Sequence, residues 1–154
     1  MDLPQSIEGI DPSIREACKA WQAEQEALHP GKEIHHSDFE GLFSTLKPKE
    51  GAADAIDTLM DHFEVYLLST APWANTDSWS DKRRWVGQYL PNLPKKRLIL
   101  THRKDFNRGA FLIDDRPNNG AQAFGEKEGQ EWIHFGSTEF PGWPSVLSYL
   151  EGKS

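Results

Sequence analysis

Four short, largely apolar runs dominate the sequence: residues 63–68, 97–100, 110–113 and 131–135. Between them lie stretches that repeat apolar residues at helical spacing, or that read as polar loops. Short runs without strict polar alternation are what strands look like when both faces are covered. Strands that alternate with helices are joined by crossovers into a parallel sheet. The sequence therefore predicts an α/β chain with a Rossmann-like, doubly wound parallel sheet. In such sheets ligands bind beyond the carboxyl ends of the strands. Three of the runs end there in polar residues: Ser69-Thr70, residues 101–104, and Asp114-Asp115.

The segments between the runs carry their own signals. Asp11-Pro12 starts a helix, with Asp as the cap and Pro in the first turn, and Pro30-Gly31 ends it after about His29. Residues 31–38 read as a loop, with His35-His36 as an exposed, solvated pair, and 39–46 as a short apolar stretch closed by Lys47-Pro48. Ala52, Ala55, Ile56, Leu59 and Met60 give a helix over 50–62. A polar loop is expected over 71–79, then a helix capped by Ser80-Asp81 and running to Leu90, a helical turn over 117–124, and a final helix over 143–150. With 154 residues, one domain spanning 1–154 is expected, with 10–45 as a small helical cap.

Composition narrows the partners. The net charge is −7 and no basic block occurs, which argues against a nucleic-acid-tracking face, although a few placed cations could hold a small anion. The lone cysteine, Cys18, falls on a predicted helix and reads as a helix-face residue; one thiol makes no internal disulfide, so a cytoplasmic location fits. No apolar run approaches a membrane span, and the N-terminus has neither the basic nor the apolar region of a signal peptide. The oligomeric state stays open, a homodimer included.

The strand-end residues offer chemistry. Asp114-Asp115 puts two negative charges together, which calls for a cation, most simply Mg²⁺ with its preference for oxygen ligands; the alternative is a plain turn, since Asp-Asp-Arg-Pro-Asn-Asn-Gly is good loop chemistry. Ser69-Thr70 can hold a phosphate oxygen or simply cap a strand. Lys104 can neutralise a phosphoryl group, or be one solvated cation among Lys95, Lys96, Arg97, Arg103 and Arg108.

In order and spacing, strand–Ser-Thr, then Lys104, then strand–Asp-Asp resembles the haloacid-dehalogenase superfamily. More closely, residues 65–73 (Val-Tyr-Leu-Leu-Ser-Thr-Ala-Pro-Trp), 80–86 (Ser-Asp-Lys-Arg-Arg-Trp-Val), 97–104 (Arg-Leu-Ile-Leu-Thr-His-Arg-Lys) and 112–116 (Leu-Ile-Asp-Asp-Arg) resemble the 5′(3′)-deoxyribonucleotidase family. His134-Phe135-Gly136 and residues 143–147 are similar to its bacterial members. The resemblance implies Mg²⁺-dependent dephosphorylation of a nucleoside monophosphate through an aspartyl-phosphate. Carried over, Ser69 holds the phosphate with Thr70 beside it, and Lys104 stabilises the transferring group. Asp115 ligates Mg²⁺, and Asp114 shares or supports that role. Phe39, Phe43 and Trp73 become candidates for an apolar wall against base or sugar, with ordinary core or cap packing as the alternative for each.

The family's first motif, a buried strand ending in Asp-x-Asp-Gly-Val with the nucleophile, does not occur in this sequence. Residues 1–7 resemble the segment that follows it, so Asp2 is not assigned as nucleophile. The first core strand is thus expected to be missing, through a start codon placed about ten to fifteen residues late or through true loss. The first case is an enzyme truncated here to little or no activity. The second is a non-catalytic nucleotide-binding, phosphate-binding or regulatory relative. A phosphatase for another small phosphometabolite is a third reading. Two strands would each lack a neighbour, so the chain is expected to fold poorly or aggregate.

Overall fold

A computed structural model describes residues 10–154; the segment 1–9, and with it Asp2, lies outside them. The described chain divides into two compact units. One holds the described residues up to Lys49 together with Ala71–Pro91, and the other holds Glu50–Thr70 and Asn92–Ser154.

The first unit is helical. Helix α1 spans Pro12–Leu28, and its start follows the sequence signal, since Asp11 Oδ1 accepts from the main-chain N of Ser13 at 2.9 Å. Hydrogen bonds from the Ser13 side chain and main-chain N hold the Asp11 carboxyl below the usual carboxylate range. A 3₁₀ turn over His36–Asp38 and a one-turn helix α2, Leu42–Thr45, follow. The His35-His36 pair departs from expectation: the rings stack at 4.2 Å and His36 is only 4% exposed.

Helix α4, Asp77–Tyr89, begins earlier than Ser80-Asp81 suggests. Its start is set by Asn75, which is fully buried. Asn75 Oδ1 accepts from Ser78 N at 3.0 Å, while its Nδ2 donates to the carbonyls of Ser37 (3.0 Å) and Phe39 (2.9 Å). The expected loop thus yields a first helical turn because tertiary partners satisfy the capping side chain. Trp85 on α4 donates its indole N–H to Leu46 O at 2.9 Å, and Lys82 lies 4.4 Å from the Phe43 ring centroid. Ile10, Cys18 and Leu42 form a buried cluster joined by Ile14 and Phe39. Cys18 is therefore core packing, and burial pushes its thiol pKa up.

The second unit is the α/β part. Helix α3 (Ala52–Met60) precedes β1 (Leu67–Ser69), β2 (Leu98–Leu100), β3 (Phe111–Asp114), α5 (Ala121–Gly125), β4 (Glu131–His134) and α6 (Trp143–Glu151). Among the described residues all pairing is parallel, as expected, but the strands form two pairs rather than one continuous sheet. β1 pairs with β2 in the register Leu67↔Leu98, and β3 with β4 in the register Phe111↔Glu131 through Asp114↔His134. Strand β1 is also shorter than the run 63–68, because only the residues opposite 98–100 find a ladder partner.

The pleat of β3 explains its uninterrupted apolar run. Phe111 and Ile113 face the cluster of Leu59, Ile133, Val146 and Leu150, supplied by α3, β4 and α6. Leu112 and Trp132 face Ala121 and Phe124 of α5, where Leu68 of β1 also packs. With helices on both faces no position tolerates a polar side chain until the strand ends. Tyr149 on α6 ties that helix to β4 by donating to the Glu131 carboxylate at 2.7 and 2.9 Å.

Candidate active site

The site residues that the second unit contributes sit at carboxyl ends of strands. Ser69 closes β1, Thr70 follows it, Lys104 opens a 3₁₀ turn (Lys104–Phe106) after β2, and Asp114 is the last residue of β3.

Lys104 and Asp114 are in direct contact. The Lys104 ammonium donates to Asp114 Oδ2, and the two side chains are only 11% and 9% exposed. The other carboxylate oxygen, Oδ1, accepts from Arg116 N at 3.1 Å, so both oxygens are satisfied. That matters because a charge taken out of water is tolerated only when paired and hydrogen-bonded. The main chain of Asp114 is fixed too: its carbonyl accepts from Phe135 N (3.0 Å) and from the indole N–H of Trp132 (3.1 Å).

A residue expected within the helical turn over 117–124 instead precedes the helix and links the strand ends. Asn119, at φ +54° in the left-handed region that Asn tolerates, accepts at its carbonyl from Lys104 N at 2.8 Å. Its Nδ2 also approaches Thr70 Oγ1 at 3.5 Å. The loop after β3 therefore reaches both the loop after β2 and the end of β1. The Ser69 hydroxyl donates to Thr70 O at 3.4 Å, and Ser69 O accepts from Thr101 N at 2.9 Å, which extends the β1–β2 ladder to the site. Asp115 follows Asp114 directly and is exposed.

Phe39, Phe43 and Trp73 belong to the helical unit. Phe43 is 1% exposed in that unit's core, Phe39 packs 5.7 Å from Trp21, and Trp73 is 83% exposed. Core packing is thus what the structure shows for the two phenylalanines.

Oxygen-rich Asp114 and Asp115 have the donor chemistry of a hard cation. Among the described residues no group of three His, Cys, Asp or Glu side chains converges. Mg²⁺ commonly takes one or two carboxylates and completes its shell with water and substrate phosphate oxygens, so two carboxylates are compatible with it.

Fold and site together define an α/β protein that presents a buried lysine–carboxylate pair, with a second carboxylate beside it, at the carboxyl ends of parallel strands. A family model described as 5′ nucleotidase, deoxy (pyrimidine), cytosolic type C protein matches residues 9–139, and the chain belongs to this family. It is similar to the "Putative 5′(3′)-deoxyribonucleotidase" of Vibrio phage KVP40, at 50% identity over 122 residues, covering 79% of this chain and 69% of that protein. The 5′(3′)-deoxyribonucleotidase of Bacillus subtilis is 28% identical over 110 residues, which are 71% of this chain and 63% of that one. A "Putative 5′(3′)-deoxyribonucleotidase" of Staphylococcus aureus strain Mu50 is 32% identical over 77 residues, 50% of this chain and 42% of that protein. By these names the family is one of nucleotidases, hydrolases of phosphoric monoesters. No helix among the described residues is long and apolar enough to cross a membrane.

Proposed function

We propose that this chain forms the larger part of a Mg²⁺-dependent phosphatase that hydrolyses (deoxy)nucleoside monophosphates. The observation that carries the reading is the Lys104–Asp114 pair, buried at the strand ends with Asp115 next to it. Family membership supplies the reaction class.

The roles follow from the chemistry of each group. Lys104 places a compact positive charge where a transferring phosphoryl group gathers negative charge. The hydroxyls of Ser69 and Thr70 give the phosphate oxygens donors at the end of β1. Asp115, with Asp114, would hold Mg²⁺, which when bound neutralises phosphate charge and polarises phosphorus toward attack. Trp132 and Arg116, through their bonds to Asp114, keep that carboxylate aimed.

The nucleophile belongs to a strand seated between β1 and β3, ending in an aspartate that attacks phosphorus and displaces the nucleoside hydroxyl; water then hydrolyses the aspartyl-phosphate, releasing inorganic phosphate and the free aspartate. Support comes from the ladders: among the described residues β1 is paired only with β2 and β3 only with β4, so each keeps an open edge. Activity should depend on that aspartate, because loss of a covalent nucleophile removes most of the rate enhancement. A cytoplasmic setting suits its single buried thiol.

The test is release of inorganic phosphate from a panel of 5′ and 3′ nucleoside monophosphates and small sugar phosphates, with Mg²⁺ or with excess EDTA. It is run on the chain alone and on the chain extended by such a strand. Mg²⁺-dependent release from the nucleotides by the extended chain is the expected result. Preference for a sugar phosphate would replace the substrate class, and no release from any compound would refute the enzyme reading.

A further inference from the structure

Asp105 follows Lys104 in the sequence, is 7% exposed, and takes no part in the chemistry above. A buried carboxylate outside a reaction needs a reason to be there, and its partners supply one. Arg103 donates to both of its oxygens, from Nε at 2.9 Å and from Nη2 at 2.6 Å. The Asp105 carbonyl accepts from the Lys127 ammonium, which comes from the turn after α5. On its other side lies Gly120, at φ +84°, where a Cβ would overlap the carboxylate and sit 2.8 Å from Asp105 N. Glycine is thus required there twice, for the left-handed backbone and for the close approach. Next to it, Asn119 O holds Lys104 N at 2.8 Å.

These contacts hold the main chain at Lys104 and at the residue that follows it. We infer that Asp105 is a positioning residue: gripped by Arg103, Lys127 and the Gly120 backbone, it locks the loop after β2 onto the loop after β3 and so delivers the Lys104 ammonium to Asp114. A lysine carries four rotatable bonds and loses much rotamer freedom when its head is fixed. Clamping the main chain on both sides of its Cα reduces the number of places the head can reach. The inference rests on the reading of Lys104 as the cation that faces the phosphoryl group, but its test does not use phosphate release.

The probe is amine acylation of the chain by acetic anhydride at fixed pH, with the rate at each lysine followed by peptide mass spectrometry. Exposed Lys95 and Lys153 serve as internal references. In the unaltered chain Lys104 should react more slowly than both, because its ammonium is buried against Asp114. Asp105→Ala should raise the Lys104 rate about tenfold while leaving the references unchanged, on the scale of one hydrogen-bonded charge lost. Asp105→Asn keeps the shape and an acceptor for Arg103, so it should restore most of the protection. A Lys104 rate in Asp105→Ala equal to that of the unaltered chain would overturn the inference, as would a Lys104 that reacts like the references from the start. If Asp105→Ala unfolds, all lysines will speed up together. The exposed Lys127→Met then decides: a several-fold rise at Lys104 alone supports the clamp, and no rise overturns it. A chain that passes this test yet belongs to an extended protein with no phosphatase activity would leave the clamp standing and sink only the proposed function.

Discussion

The indole N–H of Trp132 donates to the main-chain oxygen of Asp114 at 3.1 Å, so a core tryptophan of β4 braces the strand end that presents the acids. The same oxygen also accepts from Phe135 N, so it is not orphaned if the indole is lost. Trp132→Phe should therefore cost only about 1 kcal/mol, the net worth of one neutral hydrogen bond. Urea denaturation of both proteins measures it. A loss several times larger would mean that the bond is not shared as described.

Asn75 should behave differently, because its side chain has no substitute. It donates to two carbonyls and caps the first turn of α4, all at a fully buried position. Asn75→Ala leaves those groups without partners and should destabilise by about 2–3 kcal/mol. Asn75→Asp keeps the cap oxygen and loses the donors. Its stability should also fall below the unaltered protein, and equality with it would show that the two carbonyl contacts carry no weight.

The Arg103–Asp105 pair gives a signed pH dependence. The hydrogen bonds from Arg103 hold the Asp105 carboxyl below the usual carboxylate range. A depressed folded-state pKa contributes stability that is present above the unfolded value and is lost as pH falls through the folded one. The stability difference between the unaltered protein and Asp105→Asn should thus be constant near neutrality and shrink below about pH 4. A difference that instead grows on acidification contradicts the assigned partner.

Phe43 and Trp73 separate core packing from exposed surface within the helical unit. Phe43, 1% exposed, should cost about 3–5 kcal/mol when truncated to alanine. Trp73, 83% exposed, should change stability by no more than about 0.5 kcal/mol on the same truncation. Paired denaturation curves check both values, and comparable losses in the two variants would contradict their placements.

What the sequence made legible was whatever local chemistry decides. The β3 run is apolar throughout because Phe111 and Ile113 face one helical layer and Leu112 the other, so the strand could be read without its partners. Asp11 and Pro12 start α1 locally, the Asp11 carboxylate reaching only two residues on to Ser13 N. Lys104 and Asp114 could be read as strand-end residues, and the structure places them in contact. What escaped depends on partners remote in sequence. The start of α4 is set by Asn75 reaching back 38 and 36 positions to Ser37 and Phe39. His36 is buried by packing that no local pattern announces. Asp105 and Asn119 gain meaning only when Lys127 and Thr70 come to them across 22 and 49 positions. The Asn118-Asn119-Gly120 turn signal was visible; which loop it would meet was not.

In the proposed function Lys104 and Asp115 act on one Mg²⁺-bound phosphoryl group. The direct measurement is steady-state phosphate release from a nucleoside monophosphate by the protein carrying the proposed nucleophile strand, compared with Lys104→Ala and Asp115→Asn, each shown by circular dichroism to be folded. Losses of about 10²-fold or more in kcat for both variants are predicted, the scale for removing one charge-stabilising group from an active site. Turnover in either variant equal to that of the unaltered protein would contradict the account.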